Sequence, residues 1–166
     1  MARTHQGKRW ITCLLDFKDR WRRVMTPGVY TELFFLDEAT ALAAGHRPCA
    51  ECRRADFDRF MMIWRQVNGG SGKVGEIDDI LHQERLADVK LQLSALSGLP
   101  DGVFVQDDDG RMLLVWQGGL LVWTPFGYTE HLRPILSNPV TLLTPPSTMQ
   151  VLTAGYRPVV HPTAHA

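Results

Sequence analysis

The chain is short of cysteine, carries no net charge and lacks any long apolar run. Three cysteines in 166 residues are too few, and odd in number, for a disulfide framework. Metal-binding or buried thiols in a reducing compartment are expected instead. No apolar stretch approaches the roughly 20 residues that a membrane helix needs. The opening Met1-Ala-Arg-Thr-His-Gln-Gly-Lys8 has no hydrophobic segment after its charges, so no secretory signal is expected and the cytoplasm is the expected location. What is present is an ordinary globular composition, 45% hydrophobic and 22% charged. A chain of this length supports one core and at most a small attached lobe.

The zero net charge conceals an asymmetry. Residues 1–65 carry twelve Lys/Arg against eight Asp/Glu, and the remainder six against ten. Most of the excess lies in residues 1–23, where Arg3, Lys8, Arg9, Lys18, Arg20, Arg22 and Arg23 face only Asp16 and Asp19. With Trp10, Phe17 and Trp21 interleaved, this flank has the residue types that grip phosphates and stack on bases. Arg20, Arg22 and Arg23 are the candidate nucleic-acid contacts. The competing reading is a solvated amino-terminal segment.

Along the chain, Arg9–Phe17 and Val29–Phe35 are rich in strand formers and read as two strands. Asp37 has the chemistry to cap a short helix over Glu38–Ala44, which Gly45 ends and Pro48 forbids from continuing. A longer helix is expected from Cys49–Glu51 to Val67, with Phe57, Phe60, Met61, Trp64 and Val67 as its apolar stripe. Asn68–Gly75 reads as a flexible linker, followed by a helix over Ile77–Ser97. Beyond Pro100 the pattern is a meander. Val103–Gln106 and Arg111–Trp116 are joined by Asp107-Asp-Asp-Gly110, and Gln117-Gly-Gly119 turns into Leu120–Trp123. Val140–Leu143 follows as one more strand, before a short helix near Ser147. Ala44-Gly-His-Arg-Pro48 recurs as Ala154-Gly-Tyr-Arg-Pro158, an echo explained by shared helix-stop residues or by a duplicated unit.

Cys49-Ala-Glu-Cys52 puts two thiolates on one turn, close enough to share a tetrahedral ion at about 2.3 Å each. Arg47, Arg53 and Arg54 flank the pair and would favour thiolates. A redox pair or inert buried cysteines remain the other readings.

Residues 34–54 carry a strand with paired aromatics (Phe34-Phe35), an Ala-rich helix, Ala44-Gly-His-Arg-Pro48, and then Cys49 and Cys52. This run of 21 residues resembles the second half of the Ada-type metal-binding domain. The resemblance implies a zinc site in which Cys49 and Cys52 take the place of the second ligand pair. It also implies a link to DNA repair by acceptance of a methyl group from phosphotriesters. The first cysteine pair of that family has no counterpart in Thr26–Leu33, which leaves Cys13 as the third thiol. The phrases Trp123-Thr-Pro-Phe-Gly-Tyr128 and Leu143-Thr-Pro-Pro-Ser147, together with the Ada-like segment, resemble a bacterial family for which no activity is implied.

The fourth metal ligand is expected from His82, with His161 and His46 as the other candidates. His46 stands where the Ada-type pattern has an aromatic, which points to packing. A second constellation, Glu32 with His82 and Glu84, has the residue types for acid–base chemistry, against a salt bridge and a solvated helix face. The expected fold is therefore α+β: an antiparallel sheet or meander, three or four helices and a Cys-x-x-Cys knuckle. Residues 1–67 make the metal-binding half, 68–75 the linker and 76–166 the helix-plus-meander half, packed as one compact domain. The expected function is a zinc-stabilised binding module acting on nucleic acid. The alternative is an enzyme using Cys13 as a nucleophile or alkyl acceptor, or Glu32, His82 and Glu84 as acid–base groups.

Overall fold

The computed structural model describes residues 7–21, 23–28, 32–87, 90–94, 96, 98–133 and 139–165. Only Ile11–Thr12 (β1) of the first expected strand is extended and paired. The second expected strand, Val29–Phe35, falls partly outside the described residues, and Glu32–Phe35 within them is irregular. Phe34 is 64% exposed, so no burial of its side chain drives pairing there.

Helix α1 (Glu38–Ala43) begins as its sequence requires: Asp37 is extended and its carboxylate accepts from the Thr40 amide. It ends through Gly45 at φ 76°, with Gly45 N–H donating to Leu42 O and His46 N–H to Ala41 O. Those two bonds are a Schellman turn. Arg47–Pro48 (β2) then runs parallel to β1, Ile11 opposite Arg47 and Thr12 opposite Pro48.

Helix α2 (Arg54–Val67) starts later than expected because residues 49–53 form the cysteine turn, closed by Arg53 N–H to Cys49 O. Its buried side chains are Phe60, Met61, Ile63 and Trp64, whereas Val67 is partly exposed. The segment 68–75 is tied down by Asn68 to Ser147 O, Arg65 to Gly72 O and Ser71 N–H to Glu76. Helix α3 (Val74–Leu86) begins within it. The expected extension of this helix to Ser97 is overturned. Ala87 is extended, and Gln92–Leu93 (β3) pairs with a later strand. The alternation Val89-Lys-Leu-Gln-Leu93 is a two-residue period, and it prevails over the helical reading.

The remaining strands are β4 (Phe104–Gln106), β5 (Met112–Trp116), β6 (Gly119–Thr124), β7 (Gly127–Leu132) and β8 (Val140–Leu142). They form an antiparallel sheet in the order β3-β8-β4-β5-β6-β7. Strand β7 was not anticipated, because Thr124-Pro-Phe-Gly127 reads as a loop; it is a hairpin whose ends pair Trp123 with Tyr128. Helix α4 (Pro146–Thr153) ends in a second Schellman turn, with Gly155 N–H to Leu152 O and Tyr156 N–H to Val151 O. The repeated Ala-Gly-x-Arg-Pro phrase is thus the same helix stop used twice.

Side-chain alternation divides the sheet's faces. Val105, Leu113, Val115 and Leu120 pack with Phe60, Trp64, Ile77, Leu81, Val151 and Leu152 from α2, α3 and α4. Phe104, Leu114 and Leu121 point the other way, toward Ala39 of α1, Tyr128 and Ala164 in the carboxy-terminal 3-10 turn Pro162–His165. Residues from both sides of the 68–75 segment share the first cluster. Among the described residues, no helix is long and apolar enough to cross a membrane.

Candidate metal centre

The two short parallel strands explain how distant cysteines meet. Arg47 N–H donates to Trp10 O at 3.2 Å and Cys49 N–H to Thr12 O at 3.1 Å. Both strands therefore leave in the same direction, β1 into Cys13 and β2 into Cys49. Cys52 follows one turn later. The sulfurs of Cys13, Cys49 and Cys52 all lie within 4.8 Å of one another. Thiolates on one tetrahedral zinc stand about 3.8 Å apart, so small side-chain adjustments bring all three onto an ion.

Backbone donors converge on the sulfurs. Leu14 N–H points to Cys52 Sγ at 3.3 Å and Glu51 N–H to Cys49 Sγ at 3.4 Å. Burial pushes the Cys49 thiol up, but the amides of Cys52 and Glu51 and the neighbouring thiols outweigh it and leave it below the usual range. Cys13 is pushed up to about 12, first by partial desolvation of its sulfur against the other two, although the residue as a whole is exposed, and then by Cys49 and Cys52. Three thiols competing to be the one thiolate suit a cation, which removes the competition. Exposure differs sharply: Cys49 is buried, Cys52 intermediate and Cys13 exposed.

The flanking arginines do not supply the expected charge. Arg47 makes a two-pronged bond to Asp78, at 2.7 and 2.9 Å. Arg53 bridges Glu38 and Asp56, and Arg54 bridges Asp58. Each guanidinium is neutralised by a carboxylate, so peptide N–H groups stabilise the anionic sulfur instead. The arginines act as anchors. Arg53 ties the knuckle to Glu38, which also accepts from Tyr156 Oη at 2.6 Å and from Val159 N–H at 2.9 Å.

No histidine joins the sulfurs among the described residues. His82 lies on α3, its Nδ1 3.4 Å from Arg85 Nη2, and it lines a cavity formed with α1 and the sheet. Its expected place as fourth ligand is therefore not where this helix carries it. His161 bonds through its backbone to Asp37 and through Nδ1 to Thr163, and does not join the sulfur group. His46 packs between Trp10 and Phe35, at ring distances of 5.1 and 4.7 Å. Burial, and then the charge of Arg85, lower its pKa to about 4. Packing is what it does.

The other candidates are scattered. Glu32 accepts from Met25 N–H at 2.8 Å in the segment before α1. Glu84 holds the first turn of α4, accepting from Ser147 N–H and Oγ at 3.0 and 2.6 Å. The two carboxylates thus serve different segments, and Glu84 acts as a helix cap. Arg20 pairs with Glu51 at 2.6 Å and lies over the Phe17 ring. Arg23 is exposed and Trp21 is 86% exposed beside it. Arg22 lies outside the described residues.

Comparison with family models, curated proteins and solved structures finds no match to this chain.

Proposed function

We propose that the chain is a zinc-stabilised binding module whose partner is nucleic acid. The observation that carries the metal is the convergence of three sulfurs within 4.8 Å, with peptide N–H groups directed at two of them. Thiolate ligands in a site of this size suit zinc over the hard cations, which take oxygen. Cys13, Cys49 and Cys52 are the protein ligands. The fourth position belongs to water or to a residue outside the described set. Such an ion fastens β1 and the segment after it to the knuckle, adding to the two backbone bonds and the exposed Arg20–Glu51 pair that join them.

The nucleic-acid part rests on the exposed, basic and aromatic-bearing segment that the knuckle holds, with Arg20, Arg22, Arg23 and Trp21 as its grip. The likeness of residues 34–54 to the Ada-type domain agrees with both parts.

Protein purified without chelator should contain about one zinc per chain by elemental analysis. Cys49→Ser with Cys52→Ser should remove the metal and lower the melting temperature together, because structural metal binding is coupled to folding. Metal-free protein of unchanged stability would sink the proposal. Duplex binding should weaken steeply with salt. Alanine at Arg20, Arg22 and Arg23 should reduce the log–log salt slope by close to one unit for each phosphate no longer neutralised.

A second reading follows from the exposure of Cys13 beside the buried Cys49. An accessible metal-bound thiolate is a nucleophile toward alkylating agents. Its sulfur would bond the alkyl carbon while the leaving group departs with the electron pair. After a limiting dose of methyl iodide, intact mass should show a single added methyl group and peptide mass mapping should place it on Cys13. Methylation spread over all three cysteines, or none, excludes this role.

A further inference from the structure

A cavity of about 1060 Å³ opens between α1, the end of α3 and the sheet face that carries Phe104. Its walls are largely apolar and aromatic, with Trp10, Phe104, Met112, Trp123 and Leu143 among them. Ordinary cores close such voids, and spaces of this volume with an apolar lining and a few polar groups are typical of ligand sites. The charged groups sit on one side, contributed by α3 and the residues after it: Glu84, Arg85 and Lys90.

These charges do not cancel within the site. Glu84 keeps its charge, but both of its oxygens are taken by the N–H and hydroxyl of Ser147 at the start of α4, and among the described contacts neither is within ion-pair distance of Arg85 or Lys90. Arg85 has no carboxylate within ion-pair distance among the described residues. Its Nη1 donates to Gly45 O at 2.6 Å and its Nη2 to Lys8 O at 2.9 Å, and its Nε is buried without an acceptor. The guanidinium stacks 4.3 Å from the centre of the Trp10 ring. Asp78, the acid whose charge reaches it, is already held by Arg47 through both oxygens. Lys90 is exposed and donates only to the backbone O of Glu84 among described partners. Carbonyl partners orient a cation without neutralising it. A half-buried arginine with no counter-ion among the described residues, at the rim of an apolar cavity, is matched by a ligand that brings its own anion.

We propose that this cavity binds an apolar monocarboxylate, with the hydrocarbon body against Trp123 and Phe104 and the carboxylate at Arg85 and Lys90. A cationic amphiphile meets two like charges there, and a neutral one leaves Arg85 uncompensated. The site is separate from the three sulfurs and stands whether or not they hold a metal.

The test is calorimetric titration of the purified, metal-replete protein with octanoate, octanol and octylamine. Octanoate should bind saturably, at least about tenfold more tightly than the other two, the factor that one charge-assisted contact supports. Lys90→Met, an exposed change, should weaken octanoate severalfold and leave octanol unchanged. Arg85→Met should weaken octanoate further. Should that variant fail to fold, the Lys90 variant and the three-ligand comparison still decide the question. Ala43→Phe, which places bulk in the cavity, should abolish octanoate binding. No saturation below about 1 mM, equal affinity for octanol, or undiminished binding in the Ala43→Phe protein each overturns the proposal.

Discussion

Removing the Asp78 carboxylate tests whether the arginine before the knuckle is an anchor or a decoration. The Arg47 and Asp78 side chains are 4% and 10% exposed, and two bonds of 2.7 and 2.9 Å join them. After Asp78→Ala, the guanidinium keeps, among the described residues, Pro48 O at 3.3 Å and the face of Phe57 at 5.6 Å. Breaking one side of a buried pair costs about 3–5 kcal/mol, because the remaining charge stays desolvated. That is a large part of the roughly 5–15 kcal/mol available to a domain. For a urea slope near 2 kcal/mol/M, the unfolding midpoint should fall by about 2 M.

The double variant Arg47→Met, Asp78→Leu should regain most of the loss, since an apolar pair removes the desolvation penalty along with the attraction. Urea titrations of wild type, Arg47→Met, Asp78→Leu and the double variant form a cycle, with a coupling of about 3 kcal/mol expected. A single-variant loss under about 1 kcal/mol, or strict additivity in the cycle, would refute the reasoning. Because Arg47 lies two residues before Cys49, the cycle should be run with and without chelator, to separate the ion pair from the metal.

His46, with its pKa depressed from 6.5 to about 4, stays neutral in the fold while the unfolded chain takes a proton, so its contribution is intact above pH 6.5 and lost as pH falls toward 4. The loss should reach about 3 kcal/mol, and His46→Phe should remove that part of the pH dependence; parallel curves for the two proteins count against it. Chelator should speed hydrogen exchange at the Leu14 and Glu51 amides, the two that donate to sulfur, before it affects the sheet. Gly155→Ala should cost about 1 kcal/mol for its positive φ alone, since open space surrounds it. Gly45→Ala should cost more, because its Cβ would lie 2.6 Å from Arg85 Cγ; equal losses at the two glycines in thermal unfolding would contradict the close approach of Arg85.

The parts of this protein legible in its sequence are those held by bonds between near neighbours. Asp37 capping Thr40, the glycine stops after α1 and α4, and the Asp107–Gly110 hairpin all close within a few residues. Residue type and spacing therefore suffice to locate them. The Cys49–Cys52 turn belongs to the same class. Cys13 could be nominated from sequence only as the remaining thiol; the parallel pairing of β1 with β2 is what carries it to the other two. Tertiary structure alone decided that Arg47 meets Asp78 and that Arg53 meets Glu38, since Arg47 and Asp78 are 31 positions apart and both are buried. The fate of His82 was decided the same way. The register of α3 against α1 and the sheet turns that helix face toward the cavity. A ligand nominated by residue type alone has no means of foreseeing the direction its helix will face.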